Sequence, residues 1–392
     1  MLNSGNSKAE RPGRSGRYVA QSTGYSAFIP APLPPDPPVR LEGVLQQLLS
    51  DADRALGRLD GSVHTLPTPD LFVYMYVRRE AVLSSQIEGT QSSLQDLLSV
   101  EASVSGIETP RDVDEVVNYV RAINRGLARL ADLPVSVRLI REIHEELLSG
   151  VRGSRLMPGE LRRSQNWIGP AGASLGQASF VPPPPELVPE VLGQLERFVH
   201  ADDDLPLLVK IGLAHAQFET IHPFLDGNGR MGRLLITFLL CERKALDKPV
   251  LYLSHYLKAH RQEYYDRLQA VREAGDWEGW LEFFLKGVTV VSLQAADTAR
   301  RILLLREEHR AAIADGLGRA AGHGHRVLQY LYQHPIVSAS QVRDVVGTTF
   351  TAANQVVKRL VELGILREIT GHARHRRFRY DAYVQLFDDQ HS

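Results

Sequence analysis

The sequence predicts a mainly α-helical protein with one hairpin-like interruption and a small C-terminal module of helices and a hairpin. Apolar residues recur at three- and four-residue spacing through most of 41–308, the period of helices with a buried face. Gly and Pro concentrate in 1–39 and 153–185, where regular helix cannot run. Strand signals are few before Ile365, and there is no internal repeat.

At 392 residues the chain is too long for one ordinary core, and two or three domains are expected. Apolar content of 43% and charged content of 23% are ordinary for a globular protein. A net charge of −1 excludes a bulk attraction to nucleic acid or membrane, so any such partner needs a local patch. Cys241 is the single cysteine, which excludes an internal disulfide or a cysteine zinc site and fits a reducing compartment. Apolar runs fall far short of a membrane span, and the N-terminus lacks the basic-then-apolar order of a signal peptide. A soluble, cytoplasmic protein is expected.

Residues 1–39, ending in Pro-Leu-Pro-Pro-Asp-Pro-Pro, read as a flexible or extended arm, because they can bury little apolar area. Leu45, Leu48, Leu49, Ala52 and Leu56 then begin the helical texture. A second helix is expected over about Pro69 to Ser84, and a third from near Ser92, within a helical region 40–109. Val113, Val116, Val117, Val120 and Ile123, and later Leu139, Ile143 and Leu147, open the main core, 110–300. Inside it, 153–185 reads as a loop with short strands, ending in Phe180-Val181 and four prolines. Gly and His punctuation over 301–324 suggests a linker.

In 325–392, Val327, Leu328, Tyr330 and Leu331 mark a helix, Ser338 to Val346 a second with Ser338 or Ser340 as cap, and Thr349 to Leu363 a third ended by Gly364. Ile365 to Tyr380 follows as a hairpin turning near Gly371. This order resembles a winged helix. Arg374, Arg376, Arg377, Arg379, His372 and His375 make its tip basic, with Lys358 and Arg359 on the third helix. A DNA footprint and a protein-interaction or dimer module both fit that pattern.

The chemistry is concentrated in residues 222–233, His-Pro-Phe-Leu-Asp-Gly-Asn-Gly-Arg-Met-Gly-Arg. Helical texture stops at Pro223 and resumes near Arg230, so the glycines lead into a helix N-terminus. Gly227 and Gly229 can take left-handed angles, and their N–H groups can converge on an anion at the helix's positive end. Arg230 and Arg233 suit bidentate phosphate contacts. Asp226 is a hard oxygen ligand suited to Mg²⁺ bridging phosphates. His222 is a titratable base. Each residue alone reads as a loop, turn or solvent-facing group; together they read as equipment for phosphoryl chemistry.

This segment resembles the signature of the Fic family: His, Pro, Phe, any residue, Asp or Glu, Gly, Asn, Gly, Arg, two free positions, Arg. Every fixed position is filled. Similar texture extends over roughly 70–290, including Arg163-Ser-Gln-Asn-Trp-Ile-Gly169, Phe180-Val-Pro-Pro-Pro-Pro185 and Glu263-Tyr-Tyr265. The resemblance implies a helical Fic core that transfers AMP from Mg·ATP to a Tyr, Ser or Thr hydroxyl of a target protein. It implies His222 as the catalytic base and Asp226 as the Mg²⁺ ligand. It implies a nucleotide-binding set of Glu88, His222, Gly227, Asn228, Gly229, Arg230, Met231, Gly232, Arg233 and, near the adenine, Tyr265. Some relatives transfer phosphate or phosphocholine instead; the filled Arg230 and Arg233 favour AMP.

Ser84-Ser-Gln-Ile-Glu-Gly-Thr90 places Ser84 and Glu88 on one helical face, with Gly89 as a helix stop. The string resembles the inhibitory motif of Fic proteins, and its position resembles the subgroup with an N-terminal inhibitory helix. That implies Glu88 pairing with Arg233 and displacing the γ-phosphate. The stretch 166–185 resembles the hairpin flap that relatives lay beside the active site, where a target segment could pair. Expected partners are ATP, a target protein at the flap, the protein itself as acceptor, and a second copy in a homodimer. Two other readings are a nucleotide-sensing transcription regulator that binds DNA through the winged helix, and a toxin paired with an antitoxin. An intact His222 and a built-in Glu88 weigh against them.

Overall fold

The fold is that of a computed structural model describing residues 13–22, 24–66, 69–104, 108, 110–170 and 172–388. It opens with a hairpin, β1 (Gly16–Ala20) against β2 (Ser26–Pro30), antiparallel with Gly16 opposite Pro30. The expectation of a flexible arm over 1–39 therefore fails where it can be checked; residues 1–12 lie outside the described set. The hairpin borrows a core rather than building one. Phe28 is 1% exposed and lies between the rings of Tyr18 and Phe180. Its N–H donates to the Val181 carbonyl at 2.9 Å. Arg14 bonds both Glu278 oxygens, at 2.6 and 2.8 Å, and the Pro37 and Pro38 carbonyls, which fastens the proline-rich stretch to the main body.

The helices follow the apolar periodicity. α1 (Val44–His64) buries Leu45, Ala52, Leu56, Leu59 and Val63 on one face. α2 (Pro69–Ile87) and α3 (Leu94–Glu101) follow, the latter started by a capping box between Ser93 and Asp96. α4 (Val113–Arg129) and α5 (Val137–Leu147) pack as a pair, and after the irregular stretch α6 (Val188–His200) leads to the centre. There, α7 (Leu207–Ile221) buries every residue from Leu208 to Ile221, and α8 (Asn228–Glu242) buries Arg230 through Leu240. Both helices are enclosed on all sides, so the loop joining α7 to α8 is carried on the core itself. α9 (Ser254–Ala259) and α10 (Arg261–Ala274) close one side.

α11 (Trp277–Leu317) lies along α1 and stacks Trp277, Trp280, Phe283 and Phe284 into the core. It also corrects the expected linker at 301–324. The helix runs to Leu317, a short 3₁₀ turn covers Gly318–Ala320, and α12 (Ala321–Leu331) begins at once. Two of the glycines there are packing positions: a Cβ on Gly324 would sit 2.7 Å from Ile313 and Leu317, and one on Gly316 2.9 Å from Leu363.

The C-terminal module then matches its reading. α13 (Ala339–Val346) is capped by Ser338 with Gln341, and α14 (Phe350–Glu362) by Thr349. β3 (Ile336–Val337), β4 (Arg367–Glu368) and β5 (Phe378–Arg379) form an antiparallel sheet in the order β3-β5-β4. α15 (Asp381–Val384) follows. The basic tip is partly spent on docking. Arg377 donates to the Ser103 carbonyl at 3.2 Å and Arg379 to Gln95 Oε1 at 3.0 Å, both in the α3 region.

Candidate active site

His222 is where α7 stops. Pro223 cannot continue the helix, and His222 turns left-handed at φ 48°, ψ 60°, its N–H still donating to the Phe218 carbonyl at 3.0 Å. A non-glycine residue held there is strained, and the surroundings must hold it. Its imidazole lines a cavity of about 610 Å³ with Glu88, Gly229, Arg233, Tyr265 and Arg272. Nδ1 is enclosed without a hydrogen-bond partner. Burial, then the charges of Arg272 and Arg162, push the imidazole down to about 4. At neutral pH it is therefore an uncharged base.

The loop turns back at Gly227, φ 76°, the N-cap of α8. Its conformation needs glycine, and a Cβ would come 3.3 Å from His144 Nε2. Gly229 departs from expectation. It is not left-handed but sits in the first turn of α8, and glycine is needed there for space: a Cβ would lie 2.2 Å from Glu88 Oε1. Asn228 is buried and shapes the loop with its side chain, accepting from the Phe224 N–H and donating to the Phe224 carbonyl, both at 2.9 Å. Asp226 Oδ1 accepts from the Gly227 N–H at 2.7 Å. The Asp226 carbonyl accepts from His144 Nε2 at 2.9 Å, because His144 Nδ1 already accepts from the Gly159 N–H. Sequence reasoning missed His144, which no motif marks.

The two motif arginines have different surroundings. Arg230 is 1% exposed and bonds Glu115 Oε2 on α4 at 3.0 Å, with Asp226 Oδ1 at 3.9 Å. Arg233 faces the cavity. Its Nε donates to Ser84 Oγ at 2.8 Å, and Nη2 to the Ser84 carbonyl at 3.0 Å and to Glu88 Oε1 at 2.7 Å. Nη1 is buried without a partner. Burial opposes ionisation of Glu88, yet Arg233, with Arg230 and His222, holds its carboxyl below the usual range. α2 ends at Ile87, so Glu88 lies just past the helix, and Gly89 at φ 98° completes the stop.

Of the other expected residues, Gly232 faces Glu219, whose Oε1 a Cβ would meet at 2.3 Å, and its carbonyl is bonded by His215 Nδ1 at 3.0 Å. Met231 is fully buried, and its N–H donates to the Gly227 carbonyl, so its side chain belongs to the core rather than the cavity. Tyr265 is at the rim, 38% exposed, with the Arg261 guanidinium 5.7 Å from its ring centre. Asp226, Gly227, Asn228 and Arg230 are outside the lining of this cavity, on the side of the loop turned to α4 and α5. Beyond the motif, Arg272 lies 4.1 Å over the Phe180 ring. Glu219 has a buried, unpartnered Oε1 and is pushed up to about 7 by burial, against the pull of Arg233. Its place one helical turn before His222 was the only sequence signal for it.

The flap is one bridge wide. Ile168 and Phe180 pair through Ile168 N–H to the Phe180 carbonyl at 2.8 Å and Phe180 N–H to the Ile168 carbonyl at 3.1 Å. Phe180 packs inward at 2% exposure, whereas Trp167 is exposed, its Nε1 donating to the Ala173 carbonyl at 2.9 Å.

Residues 46–128 match the Fic/DOC family N-terminal region and residues 134–240 the Fic/DOC family. A probable protein adenylyltransferase of Aquifex aeolicus (strain VF5) is 29% identical over 197 residues, covering 49% of this chain and 56% of that protein. The protein adenylyltransferase Fic of Culex quinquefasciatus is 28% identical over 251 residues, covering 60% and 46%. The chain thus spans about half the length of these curated relatives. Among solved structures, a Fic family protein from Desulfovibrio desulfuricans G20 has a TM-score of 0.59 at 20% identity, covering 88% of this chain and 97% of that one, which shows the shared fold. The filled 222–233 signature, its loop between the two buried helices and these matches together identify residues 46–128 and 134–240 as Fic/DOC-family regions of this chain.

Proposed function

We propose that this protein is an adenylyltransferase that moves AMP from ATP to a Tyr, Ser or Thr hydroxyl of a protein, and that Glu88 restrains it. The observation that carries the reading is the shared cavity of an uncharged His222 and Arg233, with Glu88 already bonded to that guanidinium at 2.7 Å. Relatives named protein adenylyltransferases support the reaction class; no relative among them favours the regulator alternative.

His222 takes the proton of the attacking hydroxyl. The hydroxyl oxygen forms a bond to the α-phosphorus, and the bond from that phosphorus to the bridging oxygen breaks, releasing pyrophosphate. The backbone N–H groups at the start of α8 and the Arg233 guanidinium hold phosphate oxygens. Glu88 competes for the same guanidinium, so productive binding of the γ-phosphate requires its displacement. Asp226 suits Mg²⁺. It is an oxygen donor with a partly exposed side chain, and Mg²⁺ needs one or two carboxylates when phosphates complete its shell. Among the described residues no cluster of three metal-ligating side chains exists. Mg²⁺ would neutralise phosphate charge there. The flap would hold the target segment by main-chain pairing.

Incubation with α-labelled ATP, Mg²⁺ and lysate or the protein alone tests this. Glu88→Gly is expected to raise labelling at least ~10-fold, and adding His222→Ala to abolish it. Equal labelling by wild type and Glu88→Gly would refute the restraint. Labelling that persists with His222→Ala would refute the base.

A further inference from the structure

We infer that Arg162, with Asn166 beside it, is a positioning residue of this site: it locks the His222 loop and the foot of the flap into one frame. This deepens the AMP-transfer reading and rests on it.

Four consecutive carbonyls begin at Ile221, the last residue of α7, and segment 162–166 bonds all of them. Arg162 Nη2 donates to the Ile221 carbonyl at 3.4 Å and Nε to the His222 carbonyl at 2.9 Å. The Arg162 N–H donates to the Pro223 carbonyl at 3.0 Å. Asn166 Nδ2 donates to the His222 and Phe224 carbonyls at 3.3 and 2.8 Å. The same segment holds the other wall of the cavity. Arg162 Nη2 also bonds the Pro183 carbonyl, and Gln165 Nε2 donates to the Pro182 carbonyl at 3.0 Å. Pro182 and Pro183 directly follow Phe180 and Val181, where the flap returns to the body.

The chemistry of the residue fits this task. A left-handed His222 does not hold itself, and its carbonyl is its available handle. A planar guanidinium can reach several carbonyls at once, which an ammonium on a flexible stem cannot. Arg162 is only 3% exposed, its bonded partners are carbonyls rather than carboxylates, and Nη1 has no partner at all. Burying a cation that way is costly. Stability alone would favour an apolar side chain of similar size, so the charge is better explained by what it holds. The charged groups acting on His222 are Arg272 from α10, Arg162 from this segment and Glu88 from beyond α2. Arg162 thus both orients the imidazole and disfavours its protonation.

The test uses the full chain carrying Glu88→Gly, with Arg162→Lys, Arg162→Gln and Asn166→Ala added singly. Arg162→Lys is expected to lower kcat at saturating ATP at least ~10-fold while the ATP Kd stays within about 3-fold, since a small misplacement of the base harms the reaction and not the binding. Arg162→Gln should lose kcat similarly, and should raise the His222 imidazole titration followed by NMR, because the nearby charge is gone. Asn166→Ala should show a smaller kcat loss in the same pattern, and carries the test if the Arg162 variants fail to fold. Parallel changes in kcat and ATP Kd, or no change in kcat, would overturn the inference. If Glu88→Gly transfers no AMP, the reaction assignment fails instead. The NMR titration needs no turnover, and an unmoved His222 in Arg162→Gln then sinks the positioning role separately.

Discussion

Gly229 is a single position where sterics and charge meet. Its ordinary helical backbone would accept alanine, and in an open helix alanine would stabilise by about 0.5–1 kcal/mol. Here the added carbon would lie 2.2 Å from Glu88 Oε1 and 3.1 Å from Arg233 Nη1. The carboxylate would have to leave the guanidinium. Gly229→Ala should therefore destabilise the wild type by about 1–3 kcal/mol, the usual cost of overpacking. In the Glu88→Gly background, where the obstructing oxygen is gone, it should cost much less. A double-mutant cycle from urea unfolding measures the difference. Equal costs in both backgrounds would mean that Glu88 does not occupy this spot.

Among elements, the spacing of α4 and α8 decides where the loop joining α7 to α8 sits. α8 starts the loop's helix and α4 supplies Glu115 to Arg230, so the two must stay in register. They are set close by Gly126 on α4, where a Cβ would fall 2.2 Å from the Phe238 ring on α8. Gly126→Ala is expected to cost ~1–3 kcal/mol despite the better helix propensity. Phe238→Leu in the same chain should recover part of the loss by vacating the ring. Calorimetric melting of the two single variants and the double variant checks this; no recovery in the double variant would show that the contact does not set the spacing. α2 is similarly fixed along its length. Tyr76 donates to the Ala295 carbonyl of α11 at 2.9 Å and meets the Phe387 ring edge-on at 5.2 Å, and Arg78 bonds Glu101 at 2.7 Å. Glu88 thus extends from a helix held by both the core and the C-terminal module.

For the whole molecule, buried titratable groups set how stability depends on pH. Burial pushes His144, His215 and His222 each down to about 4. Each binds a proton in the unfolded chain below its ordinary value of about 6.5 but not in the fold until about 4, so each makes stability fall as pH drops through that window. Glu80 and Glu219 are pushed up to about 7, chiefly by burial. Their protonated forms favour the fold at low pH, and that contribution is lost as pH rises through about 7. Between pH 4.5 and 6.5 these three histidines, joined by His309 and His334, which burial also lowers, oppose the two carboxylates, leaving a net slope on the order of 1 kcal/mol per pH unit, rising with pH. Urea unfolding at pH 5 and pH 6.5 measures it. His144→Asn should flatten the slope, whereas Glu219→Gln should steepen it. A stability that fell between pH 5 and 6.5 would contradict the assignment.

The sequence by itself determined most of the helices, the cap at Ser338 as one of two candidates, and the compact signature from His222 to Arg233, because periodicity, capping and loop chemistry are local. Through resemblance to a known motif it also implied a pairing of Glu88 with Arg233; in the fold Arg233 bonds Glu88 Oε1 at 2.7 Å and also Ser84 Oγ at 2.8 Å. Only the tertiary structure decided which glycines turn and which merely make room: Gly227 is left-handed, while Gly229, Gly316 and Gly324 are helical and pressed by neighbours. It likewise decided that the proline-rich N-terminus docks, that 301–324 is helix, and that Arg162, His144, Arg272 and Glu219 surround the motif. The physical reason is separation along the chain. Arg162 reaches His222 across 60 positions and Arg233 reaches Ser84 across 149, and local spacing alone cannot specify which distant groups will share a dry, crowded space.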